Sequence, residues 1–375
     1  MKHAILALAL LACRGSQPAS TGSATPTPAP VKKSADGVDD LSPQLEQVRV
    51  AHELPAVALL VERHGVPIAQ GVAGVRKLGD AAHPATLADK WHLGSDTKAM
   101  TATLIGIYVD KGVLHWDDTL GKLFDHVDPG YANVTLDQLL QHRGGAPAEP
   151  PPEVWKQAWK DGAAADARTK FVTAILARPP AQPVGTFVYS NAGYTIAGAA
   201  LERATKQTWE QLIRTDLFTP LGMTACGFGA PGDAATVDQP WGHDGAKPVP
   251  PNDAESDNPA AIGPAGRVHC SLADWSKFLA VHAAPATQKL VTAATLGHLH
   301  AAPTLDSNHY MGGWMIVQLS PTDVRLAHEG SNTLWRAIAV VIPAFDMTIA
   351  VAANKTDDQL ATAIALLVQP YLRAR

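Results

Sequence analysis

The 375-residue sequence predicts an α/β (α+β) fold in which both ends of the chain build one antiparallel sheet with flanking helices, and an inserted, mainly helical lobe lies between them. Three observations lead there. β-Branched runs separated by turn residues occur near both termini, helix signals fill the middle, and a folded length of about 335 residues exceeds what one compact core usually holds. In chain order, residues 56–61 and 66–75, joined across Arg63-His64-Gly65, read as a strand hairpin with a glycine turn. Residues 90–98 run extended into a helix over 99–109 that is apolar almost all round and therefore buried. Asp96 stands in its first turn as a dipole partner, and Lys111-Gly112 reads as its C-cap. Residues 115–264 form the helical lobe. There Thr135, with Gln138 three residues on, is a capping box opening a helix over 136–142, and Pro/Gly-rich loops at 146–152 and 242–264 separate the helices. Strands follow at 314–319, 324–328, 338–342 and 347–352, and Leu360, Ile364, Leu367 and Tyr371 fall at helical spacing within 357–372. The α/β lobe thus takes in about 41–114 and 265–375.

Composition excludes several functions. With 46% apolar and 17% charged residues the chain is globular, and a net charge of −5 provides no electrostatic footprint for nucleic acid. Three cysteines, Cys13, Cys226 and Cys270, can build neither a disulfide scaffold nor a Cys-ligated zinc site. Cys226 and Cys270 are either a disulfide or two buried thiols; their spacing does not decide. Residues 1–12 form a signal peptide, with Lys2 as its basic start and an apolar run from Ala4 to Ala12. The ending Leu10-Leu11-Ala12-Cys13 resembles the bacterial lipoprotein lipobox, which makes Cys13 the expected lipidation site. Residues 13–40, rich in Pro, Ser, Thr and Ala, cannot offset their ordering entropy by burial and read as a tether with a reach of about 30 Å. The expected location is the cell envelope, anchored through a lipid bilayer at the periplasmic face or the outer membrane. Arg14 after the cysteine implies outer-membrane sorting by the same resemblance.

Three short motifs carry the chemistry. Ser95-Asp96-Thr97-Lys98 places a hydroxyl at the positive end of a buried helix and an amine three residues on, facing the same way. Serine is a poor nucleophile without a base beside it, and burial lowers the pKa of a lysine toward a useful value. Tyr189-Ser190-Asn191 precedes a helix over 194–204, and His328-Glu329-Gly330-Ser331 ends a strand whose glycine lets a ligand approach closely.

In that order the motifs resemble the serine β-lactamase and penicillin-binding-protein superfamily. They look most like its branch of class C β-lactamases, esterases and D-amino-acid peptidases, with Tyr-x-Asn as central motif and His-x-Gly in place of Lys-Thr-Gly. Residues 134–145 and 263–267 agree with that branch, and the resemblance covers about 45–372. It implies a β-lactamase/transpeptidase-like fold and two-step acyl transfer without a cofactor. Ser95 would be the acylated nucleophile. Lys98 would be its proton acceptor, or the charge that lowers the pKa of Tyr189; Tyr189 would be base and then acid. The backbone N–H groups of Ser95 and Ser331, beside Gly330, would form the oxyanion hole. Asn191 would hold the acyl carbonyl or side chain, and His328 would orient the tyrosine hydroxyl. The expected substrate is a small ester, amide or peptide, with a true β-lactamase or D-Ala-D-Ala carboxypeptidase as variants and a catalytically silent cell-wall-peptide-binding scaffold as the competing class.

Penicillin-recognising members carry Lys where this chain has His328 and a hydroxyl residue where it has Glu329. Glu329 is therefore expected to repel anionic substrates, unless strand alternation points it away from the cleft. Gly227 to Gly232 fits a dinucleotide-binding pattern but has Pro231 where a helix would start, so no dinucleotide is expected. His298-Leu299-His300 would put two imidazoles on one strand face without a third ligand, and no metal is expected.

Overall fold

The computed structural model describes residues 31–372 apart from 35, 164, 285–287, 302 and 304. The signal peptide, Cys13 and most of the tether lie outside the described residues. Nine strands form the main sheet in the order Lys32–Lys33, Asp39–Asp40, Val66–Gly74, Ala56–Arg63, Met347–Ala353, Arg336–Ile342, Asp323–Gly330, Trp314–Ser320, Tyr310–Met311. Both chain ends therefore meet in one sheet. It is antiparallel except where Asp39–Asp40 runs parallel to Val66–Gly74. The tether expectation, which ran to residue 40, is shortened here: Lys32–Lys33 pairs with Asp39–Asp40 and adds an edge to the sheet. The Ala56–Arg63/Val66–Gly74 hairpin turns on His64 and Gly65, both with left-handed φ, the geometry that matches strand twist.

Alternation along the central strands sorts large and small side chains onto opposite faces. Val57, Leu59, Val61, Ile338, Val340, Ile349 and Val351 pack under the helices Ser42–Ala51 and Leu360–Val368. Ala58, Ala337, Ala339, Ala350 and Ala352 face the other way. Their small side chains let the helix Leu272–Ala283 lie close to the sheet. The C-terminal helix is shorter than its periodicity implied and continues as a 3₁₀ turn, Gln369–Leu372, because Pro370 lacks the N–H that another α-turn needs. No helix among the described residues is long and apolar enough to cross a membrane.

The helix Thr97–Asp110 is buried from Thr97 to Tyr108 on every side. It is entered from a short strand, Lys90–His92, which pairs with Val268–Ser271 in a separate three-stranded sheet completed by Gly227–Phe228. Cys226 and Cys270 are disulfide-bonded within that sheet and clamp the strand that holds Lys90–His92 in register. Between residues 120 and 221 the elements among the described residues are helices joined by loops, and the Thr135/Gln138 capping box forms as expected, opening Leu136–Leu140.

His298 and His300 do not share a strand face. They belong to the helix Ala293–Leu299 and its C-cap, opened by the Thr292 side chain accepting from Thr295 N. Two residues apart on a helix they diverge: His298 Nε2 lies 2.7 Å from Asp137 Oδ1, whereas His300 Nε2 lies 2.8 Å from His282 Nδ1. Among the described residues no group of three or more His, Cys, Asp or Glu side chains is placed to hold a metal.

Candidate active site

The nucleophile turn is built by close backbone contacts. After Lys90–His92, Leu93 N donates to Val268 O (2.8 Å) and Gly94 turns with φ +50° into a 3₁₀ turn, Gly94–Asp96. A Cβ on Gly94 would stand 2.4 Å from Ser331 N, and one on Gly330 would stand 1.8 Å from Leu93 O. Only glycine lets the end of Asp323–Gly330 meet the turn that carries Ser95. The backbone of Ser331 consequently lies against the nucleophile's own turn, the arrangement an oxyanion hole requires. Ser331 Oγ accepts from Thr333 N at 2.9 Å, which holds the turn after the strand.

Lys98 is completely buried, and three oxygens lie within hydrogen-bond distance of its Nζ: Ser95 Oγ at 2.9 Å, Asn191 Oδ1 at 2.7 Å and Ala265 O at 2.8 Å. None of the three is an anion. Burial pushes the ammonium well below the usual lysine range, opposed only by the field of Asp96. Tyr189 also borders Ser95 and shares a side-chain hydrogen bond with it. Desolvation raises its phenol despite that bond, and Lys98 Nζ lies 4.8 Å from its ring centre. Serine, amine and phenol thus form one cluster. Asn191 opens the helix Asn191–Thr205, capped by Ser190 Oγ accepting from Gly193 N, three residues earlier than its apolar pattern implied. Its Oδ1 is committed to Lys98, so only its amide nitrogen is left to reach a substrate carbonyl.

Two expected roles are corrected. His328 was expected to orient the Tyr189 hydroxyl; its Nε2 instead pairs with Tyr310 Oη at 3.1 Å, and its ring centre is 6.3 Å from that of Tyr189. Burial and the nearby Lys98 pull the imidazole down to about 3, so it is neutral. Glu329 was expected to line the cleft and repel anions. It is opposite Ile338, whereas His328 is opposite Ala339, so the two side chains point to different faces of the sheet and Glu329 takes the face away from Ser95. There it is buried and neutralised by Arg336.

The motif reading missed a layer of residues behind the cleft. His142 is buried with Nδ1 accepting from Ser190 N (3.1 Å), and its ring packs on Tyr189, Tyr194 and Tyr310 with centroids 4.3, 5.1 and 4.5 Å away. It anchors the segment between Tyr189 and Asn191. Arg143 beside it clasps Asp306 with both terminal nitrogens (2.8 and 3.0 Å) and Gly185 O at 2.9 Å, joining the two loops that flank the site. Gly313 passes so near the helix that a Cβ would stand 2.3 Å from Ala99 N. The stretches holding these residues, 142–145 and 310–313, carry the visible signal: an aromatic or imidazole residue with glycines two and three positions on.

A serine at the start of a buried helix lies in contact with a buried lysine and a tyrosine phenol, the set of side chains that serine-acylating hydrolases use. The chain belongs to the Beta-lactamase family, a family of serine hydrolases whose model matches residues 43–370. Penicillin-binding protein 4 of Amycolatopsis lactamdurans is 28% identical over 289 residues, 72% of this chain and 72% of that one. A class C beta lactamase from Rhodobacter sphaeroides superposes with a TM-score of 0.72 at 19% identity, covering 87% of this chain and 97% of the other. A D-stereospecific amidohydrolase from Streptomyces sp. does so with a TM-score of 0.68 at 19% identity, covering 88% and 98%. These two likenesses speak for the fold.

Proposed function

We propose that the protein hydrolyses a small ester or amide through an acyl-enzyme on Ser95, with Lys98 as the base and Tyr189 as the acid that protonates the leaving group. The 2.9 Å contact of Lys98 Nζ with Ser95 Oγ, with no counter-ion among the described residues hydrogen-bonded to the amine, carries this reading. Burial moves the two candidate bases apart. Burial favours the unprotonated amine, which can accept the serine proton, whereas it favours the protonated phenol, which can donate one. The scaffold alternative is disfavoured because each polar group of the cluster has the partner that the chemistry needs.

The substrate at the cleaved bond is neutral. The position that carries a lysine in penicillin-recognising relatives holds the neutral His328, and Arg143 is committed to Asp306. A missing cation–carboxylate contact at about 4 Å is worth roughly 1 to 4 kcal/mol, a factor of about 5 to 1000 in affinity. The anion discrimination expected from Glu329 thus has a different source: absence of attraction at His328, with no repulsion from the buried glutamate. Paired esters that differ only in a carboxylate near the acyl carbonyl test this. A kcat/KM at least about tenfold higher for the neutral ester, with the gap narrowed in His328→Lys, is expected; equal values for the two esters would refute it.

We further propose that the domain is held at a bilayer through acylated Cys13, because the lipobox-like ending is followed by a Pro/Ser/Thr/Ala-rich segment that leads to the sheet edge at Lys32. Cell fractionation of Cys13→Ser should move the protein from the membrane to the soluble fraction. Continued membrane association would place the anchor elsewhere.

A further inference from the structure

Asp96 sits between Ser95 and Lys98, and its side chain is unlike the dipole partner that its position implied. It is 2% exposed, makes no capping bond to the helix, and neither carboxyl oxygen has a hydrogen-bond partner among the described residues. One neighbouring polar atom in the same condition is His328 Nδ1, also buried and without a hydrogen-bond partner among the described residues, 3.8 Å from Asp96 Oδ1. That separation is just beyond hydrogen-bond range, and a shift of about 1 Å closes it.

The direction of a hydrogen-bond chain decides which of the two holds a proton. His328 Nε2 meets Tyr310 Oη at 3.1 Å, Tyr310 shares a side-chain hydrogen bond with Tyr194, and Tyr194 Oη donates to Leu140 O at 2.9 Å. A carbonyl only accepts, so the Tyr194 proton is committed there and Tyr194 takes Tyr310 as a donor. Tyr310 then accepts from His328 Nε2–H. A neutral imidazole has one N–H, so Nδ1 is a bare lone pair facing the carboxyl. An ionised Asp96 would set acceptor against acceptor in a site closed to water.

We propose that Asp96 is a protonated, neutral carboxylic acid in the folded enzyme, donating to His328 Nδ1, and that it is the positioning residue that couples the nucleophile turn to the strand end leading to Ser331. The titratable groups around it are Lys98 on its own helix and the Glu329–Arg336 pair on the two adjoining strands, whose opposite charges offset each other. Burial raises the Asp96 carboxyl well above the usual range, with Glu329 adding to the effect and Arg336 and Lys98 opposing it. One consequence rests on Lys98 being the base: a neutral Asp96 denies the amine a counter-ion, which favours the unprotonated form that the base role needs.

Asp96→Asn separates the two protonation states, because the amide nitrogen donates to His328 Nδ1 as the acid does. The proposal expects kcat and KM of Asp96→Asn within about threefold of the wild type, and an acid limb of kcat/KM at the same pH. Asp96→Ala, which removes the donor, lowers kcat by about tenfold or more with a smaller change in KM. Infrared difference spectra of wild type against Asp96→Asn at neutral pH should contain one protonated-carboxyl band belonging to Asp96. This readout needs no turnover, so it stands even where the hydrolase assignment fails. An ionised-carboxylate band, an acid limb moved a unit or more to lower pH in Asp96→Asn, a misfolded Asp96→Asn, or a fully active Asp96→Ala would overturn the proposal.

Discussion

Ser95→Ala is expected to lower kcat for a neutral short-chain ester by about 10⁴-fold or more, corresponding to some 5.5 kcal/mol of transition-state stabilisation. The loss is specific to chemistry. The Ser95 hydroxyl touches Lys98 and Tyr189, and when it is removed Lys98 Nζ keeps Asn191 Oδ1 and Ala265 O as acceptors. The fold around it is set by Gly94, Gly330 and the pairing of Lys90–His92 with Val268–Ser271, none of which uses that hydroxyl. Circular dichroism and thermal melting should therefore match the wild type within the scatter typical of a neutral substitution. A variant that retains even a hundredth of the wild-type rate would mean that another group forms the covalent intermediate, or that none does.

Lys98→Met should be nearly as damaging, and combining it with Ser95→Ala should add almost nothing, because residues that act as one unit lose activity together. Methionine preserves the length of the stem in a fully buried site but supplies no base and leaves Asn191 Oδ1 and Ala265 O without their donor. The wild-type pH profile follows from the direction of the Lys98 shift. The protonated amine cannot accept the serine proton, so kcat/KM rises with pH as Lys98 loses its proton; burial moves that rise well below the usual lysine value. Lys98→Met should abolish this limb along with the activity. A variant with a substantial rate and an unchanged acid limb would assign the base to another group, with Tyr189 the next candidate.

The parts of the site that were legible are those fixed by local geometry. Ser95 and Lys98 are three residues apart at the start of a helix, so their proximity follows from helical repeat alone, and the all-apolar run after them announces burial. Tyr189 and Asn191 were legible as a motif, but the commitment of Asn191 Oδ1 to Lys98 depends on how two helices far apart in the chain cross. Glu329 shows what a strand motif withholds. Alternation permits either face, and the decision comes from its register against Ile338 and from Arg336 waiting on that side, neither of which can be read from residues 328–331. The His328–Tyr310 contact and the His142 ring cluster arise from the same cause, since segments separated by turns and loops converge only when the sheet and helical region close on each other. The strand expectation for His298 and His300 fails on a local signal, since Thr292 with Thr295 three residues on is a cap that starts a helix. The sheet was legible from both ends of the chain because its strands are β-branched and alternate between bulky and small faces.

Covalent labelling of the full chain by a fluorophosphonate probe, followed by mass spectrometry of the intact protein and its peptides, tests the central claim most directly. One adduct per chain on the peptide that contains Ser95 is expected, formed much more slowly in Lys98→Met and absent in Ser95→Ala. An unmodified Ser95 across the pH range in which the protein stays folded, or an adduct on a different residue, would contradict the account.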